Sequence, residues 1–246
     1  MNYYFCHHQK TGGRSLIMTV RESNKYNVYN RNKLFENYPN LAENFFISNH
    51  YPYSQVELFE QAVTTITFLR EPYTRLVSWW NHVQYKNESD QWTPREYHAD
   101  ICNETDFKKI IDNTRFRNTQ FNSMTRRLGQ YYDFLSFTKK QNYVTMLKQE
   151  FSDPTPPTKN DFEKAKDVLE TCLIGIQEDY RTSSKYILSH MGIEANEKHI
   201  TEPKALNNAM LGHQDMLNEL NFYDYELWKY GKKLYNARIK EYNKNF

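Results

Sequence analysis

The stretch from Tyr3 to Val20, YYFCHHQKTGGRSLIMTV, changes period halfway along. Tyr3 to His7 is a short aromatic and apolar run that suits a buried strand, whereas Leu16, Ile17 and Val20 recur at helical spacing. Between them, Lys10, Thr11, Gly12 and Gly13 punctuate the chain, so the order is strand, glycine turn, helix. Such a turn lets backbone N–H groups approach an anion, and the helix that follows adds the favourable end of its dipole. The whole chain has only 7 glycines, so two in succession here carry weight. A plain tight turn with an exposed lysine would use the same residues, and other segments must decide.

Working outward, the pattern repeats. Asn44 to Ser48 (NFFIS) reads as a second strand, closed by Asn49 and Pro52, and SQVELFEQA then suits a short helix. Val63 to Leu69 (VTTITFL) is rich in β-branched residues and reads as a central strand. Pro72 sits well in the first turn of a helix whose apolar stripe is Leu76, Val77, Trp80 and Val83. The polar and aromatic residues from Tyr85 to Asn103 lack a period and suggest a long loop. After SDPTPP, one helical face carries Phe162, Ala165, Val168 and Leu169, and Cys172 to Ile176 is a further strand. A helix with Tyr180, Ile187, Leu188 and Met191 in register follows, and Leu227, Tyr230 and Leu234 mark a long terminal helix. Strands alternating with helices predict an α/β fold: a P-loop-like central parallel β-sheet flanked by helices on both faces, with a helical C-terminal part. One domain over residues 1–246 is expected, with ligands held beyond the carboxyl ends of the strands.

Composition narrows the partners. With 32 Lys and Arg against 30 Asp and Glu the net charge is only +2, so no global field favours nucleic acid and any anion site must be local. The 3 cysteines, Cys6, Cys102 and Cys172, are far apart and form no CxxC pair, which argues against a disulfide framework or a thiolate zinc site. No apolar run reaches the length of a membrane span, and a strand beginning at residue 3 leaves no room for a signal peptide, so a soluble, cytoplasmic protein is expected.

The loop differs from a Walker A sequence, GxxxxGK[ST], because its lysine precedes the glycines: Lys10, Thr11, Gly12, Gly13, Arg14, Ser15. That order puts Lys10 at the strand end, within reach of the bond being broken. A second cationic site is predicted in Phe68 to Val83 (FLREPYTRLVSWWNHV), where Arg70 ends a strand and Arg75, Ser78 and His82 fall on one face of the helix. An ordinary solvated helix face fits this second segment as well.

HHQKTGGRSL and TFLREPYTRLVSWWNHV together resemble the two nucleotide motifs of sulfotransferases that use 3′-phosphoadenosine 5′-phosphosulfate (PAPS), with the heparan sulfate 6-O- and 2-O-sulfotransferases as the most similar branch. The likeness continues in order through FRNTQFNSMTRRLG, IGIQEDYRTSSKYILSHMGI and ELNFYDYELWKYGKKLY. It implies that Lys10, Thr11, Gly12, Gly13, Arg14 and Ser15 grip the 5′-phosphosulfate and that Arg70 and Ser78 grip the 3′-phosphate, with no metal. It also implies that His50, just past the second strand, is the general base, that Lys10 steadies the leaving phosphate, and that Lys204 in TEPKALNN contacts the nucleotide. Two residues depart from the family's pattern. Arg14 stands where a small hydroxylic or polar residue is usual, and Glu71 replaces the aspartate of an RDP-like motif.

The expected reaction is in-line transfer of the sulfuryl group to a hydroxyl, a carbohydrate before a tyrosine or small alcohol, releasing adenosine 3′,5′-bisphosphate (PAP). A histidine suits the base near neutral pH. His82 and Trp92 are candidate acceptor contacts, and Trp79, Trp80, Tyr85 and Tyr97 can either stack on sugar rings or cover the sheet, with Lys86 and Arg95 nearby. His7 and His8, adjacent in a strand, should face opposite ways and read as structural. A P-loop nucleotide kinase and a nucleotide-binding module without catalysis stay open as other classes.

Overall fold

The computed structural model describes residues 1–29, 41–50, 52–86, 104–132, 155–194 and 210–244. Five strands form one sheet: β1 (Asn2–Cys6), β2 (Asn27–Tyr29), β3 (Phe45–Asn49), β4 (Val63–Leu69) and β5 (Leu173–Ile176). Their order across the sheet is β2-β3-β1-β4-β5 and every neighbouring pair is parallel. The fold is therefore α/β, with β1 in the middle. From β1 the chain goes to the edge strand β2, returns to β3 beside β1, and then crosses to β4 on the other side. That reversal makes the carboxyl end of β1 the place where a ligand crevice is expected.

Alternation along the strands assigns the two faces. Tyr4 and Cys6 point to one side with Phe45, Ile47, Leu69, Ile174 and Ile176, while Tyr3 and Phe5 point to the other with Phe46, Ile66 and Phe68. The second face is covered by α1 (Gly13–Glu22), through Leu16 and Val20, and by α7 (Tyr180–His190), through Ile187 and Leu188. The first is covered by α5 (Ser123–Gly129), α6 (Lys159–Thr171) and the long terminal α9 (Phe222–Lys244), through Met124, Leu128, Ala165, Leu169 and Leu227. Burial on both faces explains why the strands read as continuous apolar runs.

A third apolar cluster lies beside the sheet. α2 (Pro72–Lys86) brings Leu76, Trp79 and Trp80 against Ile110 of α3 (Phe107–Asp112), Phe116 of α4 (Thr114–Gln120) and Leu217 of α8 (Gln214–Leu220). α5 and α9 are joined at their starts by buried polar bonds. The fully buried Asp224 accepts from the N–H groups of Met124 at 3.1 Å and Thr125 at 2.7 Å, satisfying donors that the first turn of α5 leaves over. Asn122 and Asn221 complete the joint, each side chain bonding across it.

Three details differ from the sequence expectation. β2 has only three residues at the sheet edge, too short to show an apolar run. The predicted short helix after Pro52 is a 3-10 turn, Tyr53–Leu58. It stops because Phe59 is extended and its ring packs on Tyr4 and Phe45, with centroids 5.9 and 5.7 Å apart. β1 ends at Cys6, one residue early, although His7 N–H still donates to Asn49 O at 3.0 Å.

Gly129 closes α5 against α6, where a Cβ would run into the backbone carbonyl of Asp161. Because backbone cannot rotate away as a side chain does, Gly129→Ala is predicted to destabilise the protein by about 1–3 kcal/mol. Urea unfolding of the variant would measure this, and an unchanged midpoint would show that the two helices are not in such close contact.

Candidate active site

The loop after β1 is packed closely against neighbouring side chains at both of its glycines. Gly12, the residue before α1, has φ 85, in the left-handed region where glycine is favoured. A Cβ there would collide with Gln177 Oε1 and with the ring of Tyr180, and a Cβ on Gly13 would collide with the His7 imidazole. Both glycines are thus required by what presses on them from the segments that follow β5 and β1. Thr11 is buried and its hydroxyl donates to His8 O at 2.8 Å, closing the turn from inside. Ser15 hydrogen-bonds Tyr180, whose phenol is pushed up to about 12, chiefly by burial, with bonds from Ser15 and the Leu16 backbone opposing. Lys10 also has positive φ, 65, which a non-glycine residue adopts at a cost and which is commonest where function holds the backbone.

Arg70, directly after β4, binds the second site to the first. Its Nη1 donates to Lys10 O at 3.0 Å and its Nε to Thr74 Oγ1 at 3.3 Å. Burial lowers its affinity for the proton, while Glu178 and Glu71 favour the charged form. Glu71 serves the helix start: its Oε2 accepts from Thr74 N–H at 2.7 Å, and its own N–H donates to Glu178 Oε1 at 2.7 Å. The glutamate at this position is therefore a working cap for α2.

His50 follows β3, the neighbour of β1. Its Nδ1 lies 2.6 Å from His7 O. A carbonyl can only accept, so Nδ1 carries the proton and Nε2 carries the basic lone pair. The His7 and His50 rings lie 4.5 Å apart, and His7 also stacks on Phe5 at 4.9 Å. Burial holds His7 well below its ordinary value, and the charges of His50, His8, Arg127 and Lys10 act in the same direction. His8 is fully buried and held down in the same way, by burial first and then by Arg127, Arg75 and His50.

Among the sequence-predicted residues, Lys10, Thr11, Gly12, Gly13, Ser15, Arg70 and His50 meet at the carboxyl ends of β1, β3 and β4. Ser78 is half-buried on α2, Arg14 is exposed on the first turn of α1, and His82 is exposed on α2. Lys204, Trp92, Arg95 and Tyr97 lie outside the described residues. Two expectations, on Arg75 and His7, are corrected, and the open reading of two tryptophans is narrowed. Arg75 is not on a solvated face: it is 1 % exposed and bonds the carbonyl and side chain of Gln120, because α4 packs over that side of α2. Trp79 and Trp80 are both buried with Phe116, so neither offers a ring to a sugar. His7 is part of the site, because β1 ends before it and strand alternation no longer applies.

Sequence reasoning missed Gln177, Glu178 and Tyr180. Their signal was available, since all three follow directly on a strand, β5, that is parallel to β1. No protein-family model matches the chain, and no curated protein matches it in sequence.

His8 gives a pH prediction. In the unfolded chain an imidazole binds its proton near the ordinary value of 6.5, while in the native state it does so only far lower. Below that value the unfolded chain therefore holds the extra proton, and stability falls as pH falls, by at most about 1.4 kcal/mol per pH unit for one histidine. Urea unfolding between about pH 7.5 and 5.5, in buffer free of sulfate and phosphate, should show this slope. His8→Gln should flatten it, and an equal slope in the variant would refute the assignment.

Proposed function

We propose that this chain is a PAPS-dependent sulfotransferase that moves a sulfuryl group to a hydroxyl, with a carbohydrate as the favoured acceptor and a tyrosine or small alcohol as the in-class alternative. The observation that carries the reading is the hydrogen bond from His50 Nδ1–H to His7 O, made at the mouth of a glycine loop whose lysine comes first. It leaves the basic nitrogen beside a phosphate-type cradle, as transfer to a hydroxyl requires. The loop suits the donor's 5′ side because it leads into the N-terminus of α1, whose first N–H groups favour an anion. Arg70, tied to the same loop through Lys10 O, with Ser78 beyond it on α2, fits the 3′-phosphate.

The donor supplies an activated sulfur with PAP as leaving group, and the chain's residues supply the rest. His50 Nε2 accepts the proton of the acceptor hydroxyl while the new S–O bond forms. Lys10, at the entrance of the loop, would neutralise the charge that develops on the oxygen of the S–O bond that breaks, where a fixed cation lowers the barrier most. The N–H groups at the start of α1 hold the phosphate, with no proton transfer asked of them.

A thermal-shift comparison separates the classes. PAP at about a hundred times its dissociation constant should stabilise the chain by about 2.7 kcal/mol, and ATP with Mg²⁺ should not. Stabilisation by ATP alone would favour the kinase reading. His50→Ala is predicted to keep PAP binding and to lose about 10²–10⁴-fold in transfer rate. Full turnover in that variant would remove His50 as the base.

A further inference from the structure

The turn that follows β5, Gln177–Asp179, is fixed from two sides. Tyr235 of α9 donates its hydroxyl to Asp179 Oδ2 at 2.7 Å, and Trp228 of the same helix donates its indole N–H to Glu178 Oε2 at 3.4 Å. The other oxygen, Glu178 Oε1, accepts from Glu71 N–H at 2.7 Å. Glu178 is an exposed residue, and an exposed carboxylate gains little from a single partner in water. Here both oxygens are spent, on donors from α9 and from the start of α2, so the side chain ties two parts of the fold together.

What it ties down is Arg70. Glu71 follows Arg70 and precedes Pro72, which has no N–H, so the bond to Glu178 fixes the backbone where β4 turns into α2. Arg70 itself spends Nη1 on Lys10 O and Nε on Thr74 Oγ1, which leaves Nη2 over among the described residues. The charge balance opposes tight anion binding at this guanidinium. Two carboxylates sit at the amino end of α2, Glu178 on the Glu71 N–H and Glu71 on the Thr74 N–H. Glu71 is 8 % exposed, and its Oε1 is buried with no hydrogen-bond partner. A carboxylate near a phosphate repels it, by an amount that water and salt reduce without removing.

We propose that Glu178 is a positioning residue of the donor site, one that aims Arg70 at the 3′-phosphate and whose carboxylate charge limits how tightly that phosphate is held. This rests on the transferase reading, in which Arg70 with Ser78 takes the 3′-phosphate. The two effects have opposite signs. The bond to Glu71 N–H strengthens binding by ordering the backbone that carries the guanidinium, and the charge weakens it. PAP carries the same 3′-phosphate as the donor, so the charge also speeds departure of the product.

Two variants separate the effects, because Glu178→Gln keeps an acceptor oxygen and removes the charge, whereas Glu178→Met removes both at similar length. The test is calorimetric titration of each with PAP and with adenosine 5′-monophosphate (AMP), which lacks the 3′-phosphate. Glu178→Gln should bind PAP about threefold tighter than the parent chain. Glu178→Met should bind PAP about tenfold more weakly than Glu178→Gln, since the two differ only in the bond. Both changes should be smaller for AMP, whose binding also reports that each variant folds. A residue that only stabilised the fold would not tighten PAP on losing its charge. Equal or weaker PAP binding in Glu178→Gln, equal binding in the two variants, or equal changes for AMP and PAP would overturn the proposal. Failure of PAP to bind the parent chain would instead sink the transferase reading, and inorganic phosphate would then decide Glu178. The same order of affinities for phosphate, with binding lost in Arg70→Ala, would keep its role, and any other result would overturn it.

Discussion

Parallel pairing on both sides of β1 is the constraint on which the site depends. Cys6 pairs with Asn49 of β3 and with Thr67 of β4, and Thr67 Oγ1 donates to Cys6 O at 3.1 Å. Parallel strands run out at one edge, so the residues that follow them leave in the same direction and at similar height. His7, His50 and Arg70 are the residues that do so, and Gln177 follows from β5 in the same way. An antiparallel partner would have sent one of these chains to the far end of the sheet. The convergence of an imidazole, a guanidinium and a glycine loop is thus a property of topology first and of side chains second.

Topology alone would not keep the loop in shape. Lys10 and Gly12 both have positive φ, which a short connection between a central strand and a helix packed on the same sheet requires. The surrounding contacts hold this backbone from three sides: Thr11 from within, the Arg70 guanidinium on Lys10 O, and Tyr180 on Ser15. Two of these partners, Arg70 and Tyr180, come from other elements, so the loop is braced by the fold as well as by its own sequence. Rigid placement of this kind is what lets a cation and backbone dipoles act on a transition state without reorganising first.

Much of this was legible in the sequence, and the exceptions have physical reasons. Val63 to Leu69 was read as a strand with the boundaries it has, because a strand buried on both faces is one uninterrupted apolar run. The places of the loop, Arg70 and His50 at strand ends were legible because such runs stop there, whereas their proposed roles came from the resemblance. Arg75 was misread because helical spacing reports which side of α2 a residue is on, and not that α4 covers that side. The two tryptophans stayed open between core and sugar contact for the same reason, since what seals them is Phe116 from a segment almost forty residues on. His7 turned on a single residue of strand length. Tertiary cover and strand ends are what local periodicity cannot supply.

The way His50 is oriented has a consequence for its chemistry. In hydrolase triads a carboxylate holds the imidazole and stabilises the charge it acquires. Here the partner is the neutral carbonyl of His7, and the charged groups around His7 and His8 are Lys10, Arg75 and Arg127. A carbonyl fixes the tautomer without contributing a negative charge, and the nearby cations oppose accumulation of a proton in this corner of the fold. The His50 imidazole is thus oriented by a backbone carbonyl, and the proton is disfavoured on its neighbours His7 and His8, first by their burial and then by the surrounding cations.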